Sequence, residues 1–191
     1  MSGLRDFLEL IRLKQAIFKN SVIVISLIFS ISSFSAALLL KNILFVFLGF
    51  ISLCLISSSS YIINDIRDAE KDKSHPEKSK RPIASGKIKK NNALIISFLL
   101  LFLSLILAFS LSYFSSWIFT YLVLALFFIS QLYNFFLRNV VFLDIAIISI
   151  NFAIRAVSGA FLIKAEISYW LIFCVFFLSV FLVGTKRFTE A

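Results

Sequence analysis

The sequence predicts an all-α fold, a polytopic bundle of six membrane-crossing helices. Three observations carry that expectation. Hydrophobic residues make up 60% of the 191 residues, with 24 Phe and a mean hydropathy of +0.99, too apolar for a water-soluble domain. Six apolar runs, Ile17–Leu40, Ile43–Ile63, Ala93–Phe114, Trp117–Leu137, Val140–Ile163 and Tyr169–Gly184, approach or exceed the length of about 20 helical residues that crosses a hydrocarbon core of about 30 Å. The segments between them alternate in charge. All 19 basic residues except Lys41, Arg155 and Lys164 fall on one side, and the positive-inside bias makes that side cytoplasmic, N-terminus included.

Taken in order, residues 1–16 mix charges with Leu4, Phe7, Leu8, Leu10, Ile11 and Leu13, the pattern of an amphipathic helix at a bilayer interface. Arg12, Lys14, Gln15, Lys19 and Asn20 follow as a polar cluster at the mouth of the first span, a placement that ordinary positive anchoring also explains. That span is too long for a cleavable signal peptide, and no small-residue cleavage site follows it before Lys41. Lys41 and Asn42 leave almost no connection to span two, so the first two spans are expected to turn there as antiparallel neighbours. Span two ends in Ser57 to Ser60, suited to close packing against another helix.

Spans three and four contain no Lys, Arg, Asp or Glu through Leu137 and read as lipid-facing scaffold with a tight turn at Ser115 and Ser116. Tyr133 and Asn134 interrupt the end of span four, close to Arg138. In span five Asn151, Arg155 and Gly159 recur at i, i+4 after Asp144. A charge inside a membrane helix costs about 2.5–3.5 kcal/mol on insertion scales and as a rule faces a polar cavity. Arg155 is therefore a site candidate, with a structural pair to Asn151 or a carbonyl as the plainer account. Cys54 and Cys174 lie in apolar spans without metal-ligand spacing and read as small buried hydrophobes. Lys186, Arg187 and Glu190 follow the sixth span.

The chemistry is concentrated between the second and third spans, in a cytoplasmic motif loop over residues 64–90 that belongs to the same single domain, 1–191. On a helix of about 3.6 residues per turn, Asn64, Asp65, Asp68 and Asp72 share an arc of about 100°, while Glu70 points elsewhere. Carboxylates crowded on one face repel one another unless something positive sits among them. Hard oxygen donors of this kind suit Mg²⁺, which keeps waters and takes phosphate oxygens. Lys73, Lys78, Lys80, Arg81 and Lys87 lie just beyond, within reach of a polyanion, and a Mg²⁺-diphosphate satisfies both halves. A solvated loop of mixed charge is the bland alternative. His75 and Pro76 should end the helix, the His as a turn residue. The net charge of +9 does not point to nucleic acid, because the cations sit where lipid headgroups or a phosphorylated substrate are nearer.

Asn64-Asp65-x-x-Asp68-x-x-x-Asp72 resembles the first aspartate-rich motif of the UbiA-type intramembrane prenyltransferase superfamily. Members are all-helical, as a chain crossing lipid outside a closed barrel must be, usually with about nine spans, and bind Mg²⁺-diphosphate at two polar motifs. The stretches SHPEKSKRPIASG, RLKQAIFKN and RNVVFLDIAIISINFAIRAVSGA look most like the decaprenyl-phosphate phosphoribosyltransferase branch. Leu13 and Ala16 stand where that branch commonly has Pro and Trp. Six spans rather than nine imply a C-terminally truncated form, ending as the second motif begins at Lys186, Arg187 and Glu190.

The resemblance implies transfer of 5-phosphoribosyl from phosphoribosyl pyrophosphate to a membrane polyprenyl phosphate in the plasma membrane, for cell-envelope polysaccharide precursors. It implies Asp65, Asp68 and Asp72 as metal-holding catalytic residues, with Asn64 as ligand or orienter. Lys78 and Arg81 would hold phosphates; Arg138, Arg155, Lys186, Arg187 and Lys19 would ring the cavity, with Tyr133 beside them. Two readings compete: prenyl transfer from a prenyl diphosphate to an aromatic acceptor, and a transporter or other non-catalytic membrane protein.

Overall fold

A single helix of 38 residues, α4 (Ala36–Lys73), forms the spine of the protein. At about 1.5 Å per residue it is about 57 Å long, far more than a bilayer core needs, so its end projects beyond the membrane. The computed structural model describes residues 2–30, 36–137, 141–167 and 169–190; the side chains of 2, 29–30, 36–37, 141–142 and 186–190 fall outside the description. Before the spine come α1 (Ser2–Leu10), α2 (Leu13–Asn20), a 3₁₀ turn over Ser21–Val24 and α3 (Ile25–Ser30). After it come a 3₁₀ turn at Lys78–Lys80, α5 (Lys90–Phe114), α6 (Trp117–Leu132) running into a π-helical turn Tyr133–Leu137, α7 (Val141–Ile163) and α8 (Tyr169–Glu190). No strand occurs among the described residues.

Leu38–Lys73, Lys90–Phe114, Trp117–Leu137 and Leu143–Ile163 are long and apolar enough to cross a membrane, and Tyr169–Thr185 is a shorter apolar helix. With the segmented first crossing, α2 to α3, the described residues give the six helical crossings that the apolar runs predict. The first boundary differs from expectation. Lys41 and Asn42 are not the connection; they lie inside α4, because neither breaks a helix and Lys41 packs over the Phe45 ring one turn on, 5.4 Å from its centroid. The spine has already begun at Ala36. Cys174 also departs from expectation: it is exposed on α8, on the outward side that also shows Phe173 and Phe177.

Serines at seven-residue spacing fasten α4 to its antiparallel neighbour α5. Ser52 Oγ donates to the Ser104 carbonyl (3.1 Å) and Ser104 Oγ to the Ser52 carbonyl (2.8 Å). Ser97 Oγ donates to the Ser59 carbonyl (3.1 Å). Small hydroxyls let two backbones approach where lipid gives no hydrophobic drive between helices. An apolar cluster of Ile23, Val46, Leu53, Phe119, Val123 and Leu162 fills the centre. A second, of Leu10, Ile62, Ala69, Ile83, Ala93 and Leu100, binds α1 and the 77–88 loop to the projecting end of α4. Large apolar side chains such as Phe18, Phe102 and Trp170 point outward, the inverse of a water-soluble surface and the match of a hydrocarbon solvent.

Candidate functional site

The helix carries the aspartates on one face, as their spacing requires. Asp65 and Asp72 are 4% exposed and Asp68 9%, whereas Glu70 is exposed and pairs with Lys73 and Lys90. Buried carboxylates need partners, and the partners are guanidiniums. Arg12 grips Asp65 through both carboxylate oxygens, with Nε to Oδ2 at 3.1 Å and Nη2 on Oδ1. Arg81 Nη1 sits between Asp65 Oδ1 (3.1 Å) and Asp72 Oδ2 (2.6 Å). Arg67 donates to Asp68 Oδ1 through Nε and Nη2, both at 3.2 Å.

Local chemistry places Arg81. The spine stops at Lys73, ahead of His75 and Pro76. His75 Nδ1 then accepts from the amides of Glu77 (3.2 Å) and Lys78 (3.3 Å), which confirms it as a turn residue. Ser85 and Gly86 amides bond back to Arg81 and Ile83 carbonyls. Gly86 supplies φ +77° at the reversal, a conformation with little cost only for glycine. Arg12 occupies the break between α1 and α2 with φ +48°, ψ +47°, sparsely populated by residues with a Cβ.

The donor set fits a hard divalent cation in kind and in facing: three carboxylates and the half-buried Asn64 amide on one face. In the present arrangement Arg81 holds the place between Asp65 and Asp72, and no three His, Cys, Asp or Glu side chains among the described residues gather at one point. A metal on this face therefore requires the arginines to withdraw.

A second polar cluster lies inside the bundle. Lys19, Ser57, Tyr61, Tyr133, Asn151 and Arg155 line a cavity of about 160 Å³. Arg155 is 6% exposed; among the described residues its hydrogen-bond partner is neither Asn151 nor a backbone carbonyl but Asn20 Oδ1, to which its Nε donates at 2.8 Å. Its guanidinium also lies 5.7 Å from the Phe152 ring centroid. Arg12 and Lys19 both sit over the Tyr61 ring, at 5.6 and 5.2 Å, close enough for cation–π attraction, and so link the two clusters. The cavity shares Lys19, Ile148 and Phe152 with an apolar groove of about 460 Å³ between α2–α3, α7 and α8.

The structure thus gathers Asp65, Asp68, Asp72 and Arg81 at one place and Lys19, Tyr133 and Arg155 at another. Lys78 is half-buried in its 3₁₀ turn, and its neighbour Lys80 faces the groove beside Arg81 instead. Arg138 lies outside the described residues, as do the side chains of Lys186 and Arg187. Sequence reasoning missed Arg12 and Asn20 as site residues. The signal for Arg12 was present in the need for a positive charge among crowded aspartates, but nothing in sequence singles out a residue 53 positions upstream.

A family model of the UbiA prenyltransferase family matches residues 17–190. Decaprenyl-phosphate phosphoribosyltransferase of Mycolicibacterium smegmatis is 37% identical over 146 residues, 74% of this chain and 43% of that protein. The enzyme of the same name from Corynebacterium glutamicum is 32% identical over 151 residues, 78% of this chain and 45% of that protein. The chain thus spans less than half the length of these relatives. Among solved structures, one of a digeranylgeranylglyceryl phosphate synthase superposes with TM-score 0.77 and 24% identity, over all of this chain and 63% of the other. A UbiA homolog from Archaeoglobus fulgidus bound to DMAPP and Mg²⁺ superposes with TM-score 0.75 and 20% identity, over 92% of this chain and 60% of the other. At such identities the likeness establishes the fold.

Proposed function

This chain belongs to the UbiA prenyltransferase family, and on that premise we propose that it transfers 5-phosphoribosyl from phosphoribosyl pyrophosphate to a membrane polyprenyl phosphate. The observation that carries the reading is the buried aspartate face interleaved with arginines, in a chain whose curated relatives bear the phosphoribosyltransferase name. A phosphate oxygen of the lipid attacks the anomeric carbon of ribose. The bond from that carbon to the diphosphate oxygen breaks, its electron pair leaves with diphosphate, and a phosphodiester-linked ribose 5-phosphate remains on the lipid.

Such a substitution asks for positioning and charge neutralisation more than for an acid or base. Asp65, Asp68 and Asp72, with Asn64, would hold Mg²⁺, which would supply charge neutralisation for the leaving diphosphate. Arg81 and Lys78 receive phosphate oxygens. Lys19 and Arg155, with Tyr133 beside them, hold the acceptor phosphate in the inner cavity; Arg138, Lys186 and Arg187 complete the cationic ring. The lipid chain lies in the apolar groove that shares Lys19 with that cavity. In this reading the motif face and N-terminus lie on the cytoplasmic side of the cell membrane, which the positive-inside bias of the basic residues supports, and the product serves cell-envelope polysaccharide synthesis.

The test is incorporation of radiolabelled ribose from phosphoribosyl pyrophosphate into polyprenyl phosphate in proteoliposomes, with and without Mg²⁺. Mg²⁺-dependent labelling of the lipid is expected. No labelling, alongside prenyl transfer from a prenyl diphosphate to an aromatic acid, replaces the reading with the other activity of the fold.

A further inference from the structure

The far side of the two clasping arginines is open. Arg12 and Arg81 form part of the wall of a groove of about 680 Å³ between α1–α2 and the 77–82 turn, together with Arg5, Lys14 and Lys80. Five cations face Glu9 and Glu77 there. Glu9 is already taken by Arg5 at 3.0 Å, while Lys14 and Lys80 make no ion pair among the described residues. Arg81 uses only Nη1 on the aspartates, and its Nε and Nη2 have no hydrogen-bond partner among the described residues. That edge of the guanidinium has the fork geometry that receives two phosphate oxygens.

We propose that this groove is a seat for a phosphate monoester, and that its occupation is coupled through Arg12 and Arg81 to cation binding at Asp65 and Asp72. The proposal rests on the reading of the aspartate face as a metal face. Two guanidiniums now neutralise two buried carboxylates. A divalent cation arriving on those carboxylates leaves both arginines beside a like charge, and the groove holds for them only Glu77 and the Gln15 amide oxygen, which accepts from Arg12 Nη1 at 3.4 Å. An anion in the groove supplies a further acceptor, drawing the guanidiniums outward and freeing the carboxylates. Each ligand therefore lowers the cost of binding the other, and the linkage must be reciprocal. Arg12, held in the left-handed region at the α1–α2 break, is the point at which the clasp can turn.

The monoester can come from a soluble sugar phosphate or from a lipid headgroup, since Leu8, Leu13 and Pro82 give the groove an apolar lip. The experiment uses the full chain in phosphatidylcholine nanodiscs and follows Mn²⁺ binding by electron paramagnetic resonance, so no turnover is needed. One arm adds ribose 5-phosphate; the other incorporates phosphatidic acid. Tightening of Mn²⁺ affinity by about tenfold, within the usual range of coupled sites, is expected from the arm that supplies the ligand. Lys14→Gln/Lys80→Gln, at two exposed positions, should abolish that gain and leave Mn²⁺ affinity without phosphate unchanged. Mn²⁺ binding that neither phosphate shifts, or a gain that survives in the double variant, overturns the groove. Absence of saturable Mn²⁺ binding under every condition overturns the groove and the metal face together. A failed transfer assay with the coupling intact overturns only the proposed reaction.

Discussion

Arg155 Nε donates to Asn20 Oδ1 at 2.8 Å, a bond between the first crossing and the fifth made entirely inside the bundle. The Asn20 amide nitrogen meanwhile lies within bonding distance of the Ala16 carbonyl (2.8 Å), the Leu53 carbonyl (3.2 Å) and Ser57 Oγ (3.1 Å). One side chain, with no exposure at all, thus joins three crossings and sets the orientation of a buried cation.

Asn20→Leu should cost about 1.5–3 kcal/mol, the range for a hydrogen bond to a charged group, because Arg155 keeps its charge and loses its acceptor. Asn20→Asp keeps an acceptor for Arg155 but sets a carboxylate oxygen against the Ala16 and Leu53 carbonyls, and should also destabilise. Thermal unfolding in detergent measures both; a Leu variant as stable as the parent would show that the amide bond contributes nothing.

Gly159 lies one helical turn beyond Arg155 and admits the first crossing. A Cβ there would stand 2.6 Å from the Ile23 carbonyl and 2.8 Å from Ile23 Cγ1, and would also meet Ser26 Oγ. The carbonyl belongs to the backbone and has nowhere to go. Gly159→Ala should therefore destabilise by about 1–3 kcal/mol, as overpacking does, against the gain in helix propensity that Ala brings elsewhere. The same melting experiment decides it.

Arg81 bridges two buried carboxylates and anchors the turn from residue 77 to 82. Arg81→Gln should leave Asp65 and Asp72 facing each other and loosen that turn, so that trypsin cuts at Lys78 or Lys80 several-fold faster through local opening. Arg81→Lys should rescue only in part, because a compact ammonium does not reproduce the planar fork. Equal cleavage rates in all three proteins would contradict the bridge.

Asp68→Asn should lower Mg²⁺-dependent transfer by about 10²-fold or more, the scale for losing one electrostatic contact to a developing charge. It should leave the melting temperature near that of the parent, since Asn keeps an oxygen that can accept from the partly exposed Arg67 guanidinium. Chelation with EDTA should abolish transfer by the parent, and Mg²⁺ should restore it. Undiminished turnover by Asp68→Asn would remove Asp68 from the metal face.

The sequence by itself determined the solvent, the number of crossings and the face. Hydrocarbon demands long apolar helices whose backbone groups are paired internally, so six apolar runs could be counted along the sequence alone. The period of a helix put Asn64, Asp65, Asp68 and Asp72 on one arc and Glu70 off it, which the burial of the three aspartates bears out. Only the tertiary structure decided what meets that face. Lys41 and Asn42 looked like a turn because charge interrupts an apolar run, yet a lysine stem packs along a helix and its spine continued. Arg12 reads in sequence as one more anchoring cation, and Asn20 as the polar end of a span. Their roles come from partners 53 and 135 residues away. Periodicity fixes which residues share a surface of one helix; which charge neutralises it is set by the packing of α1, α2 and the 77–82 turn against the spine.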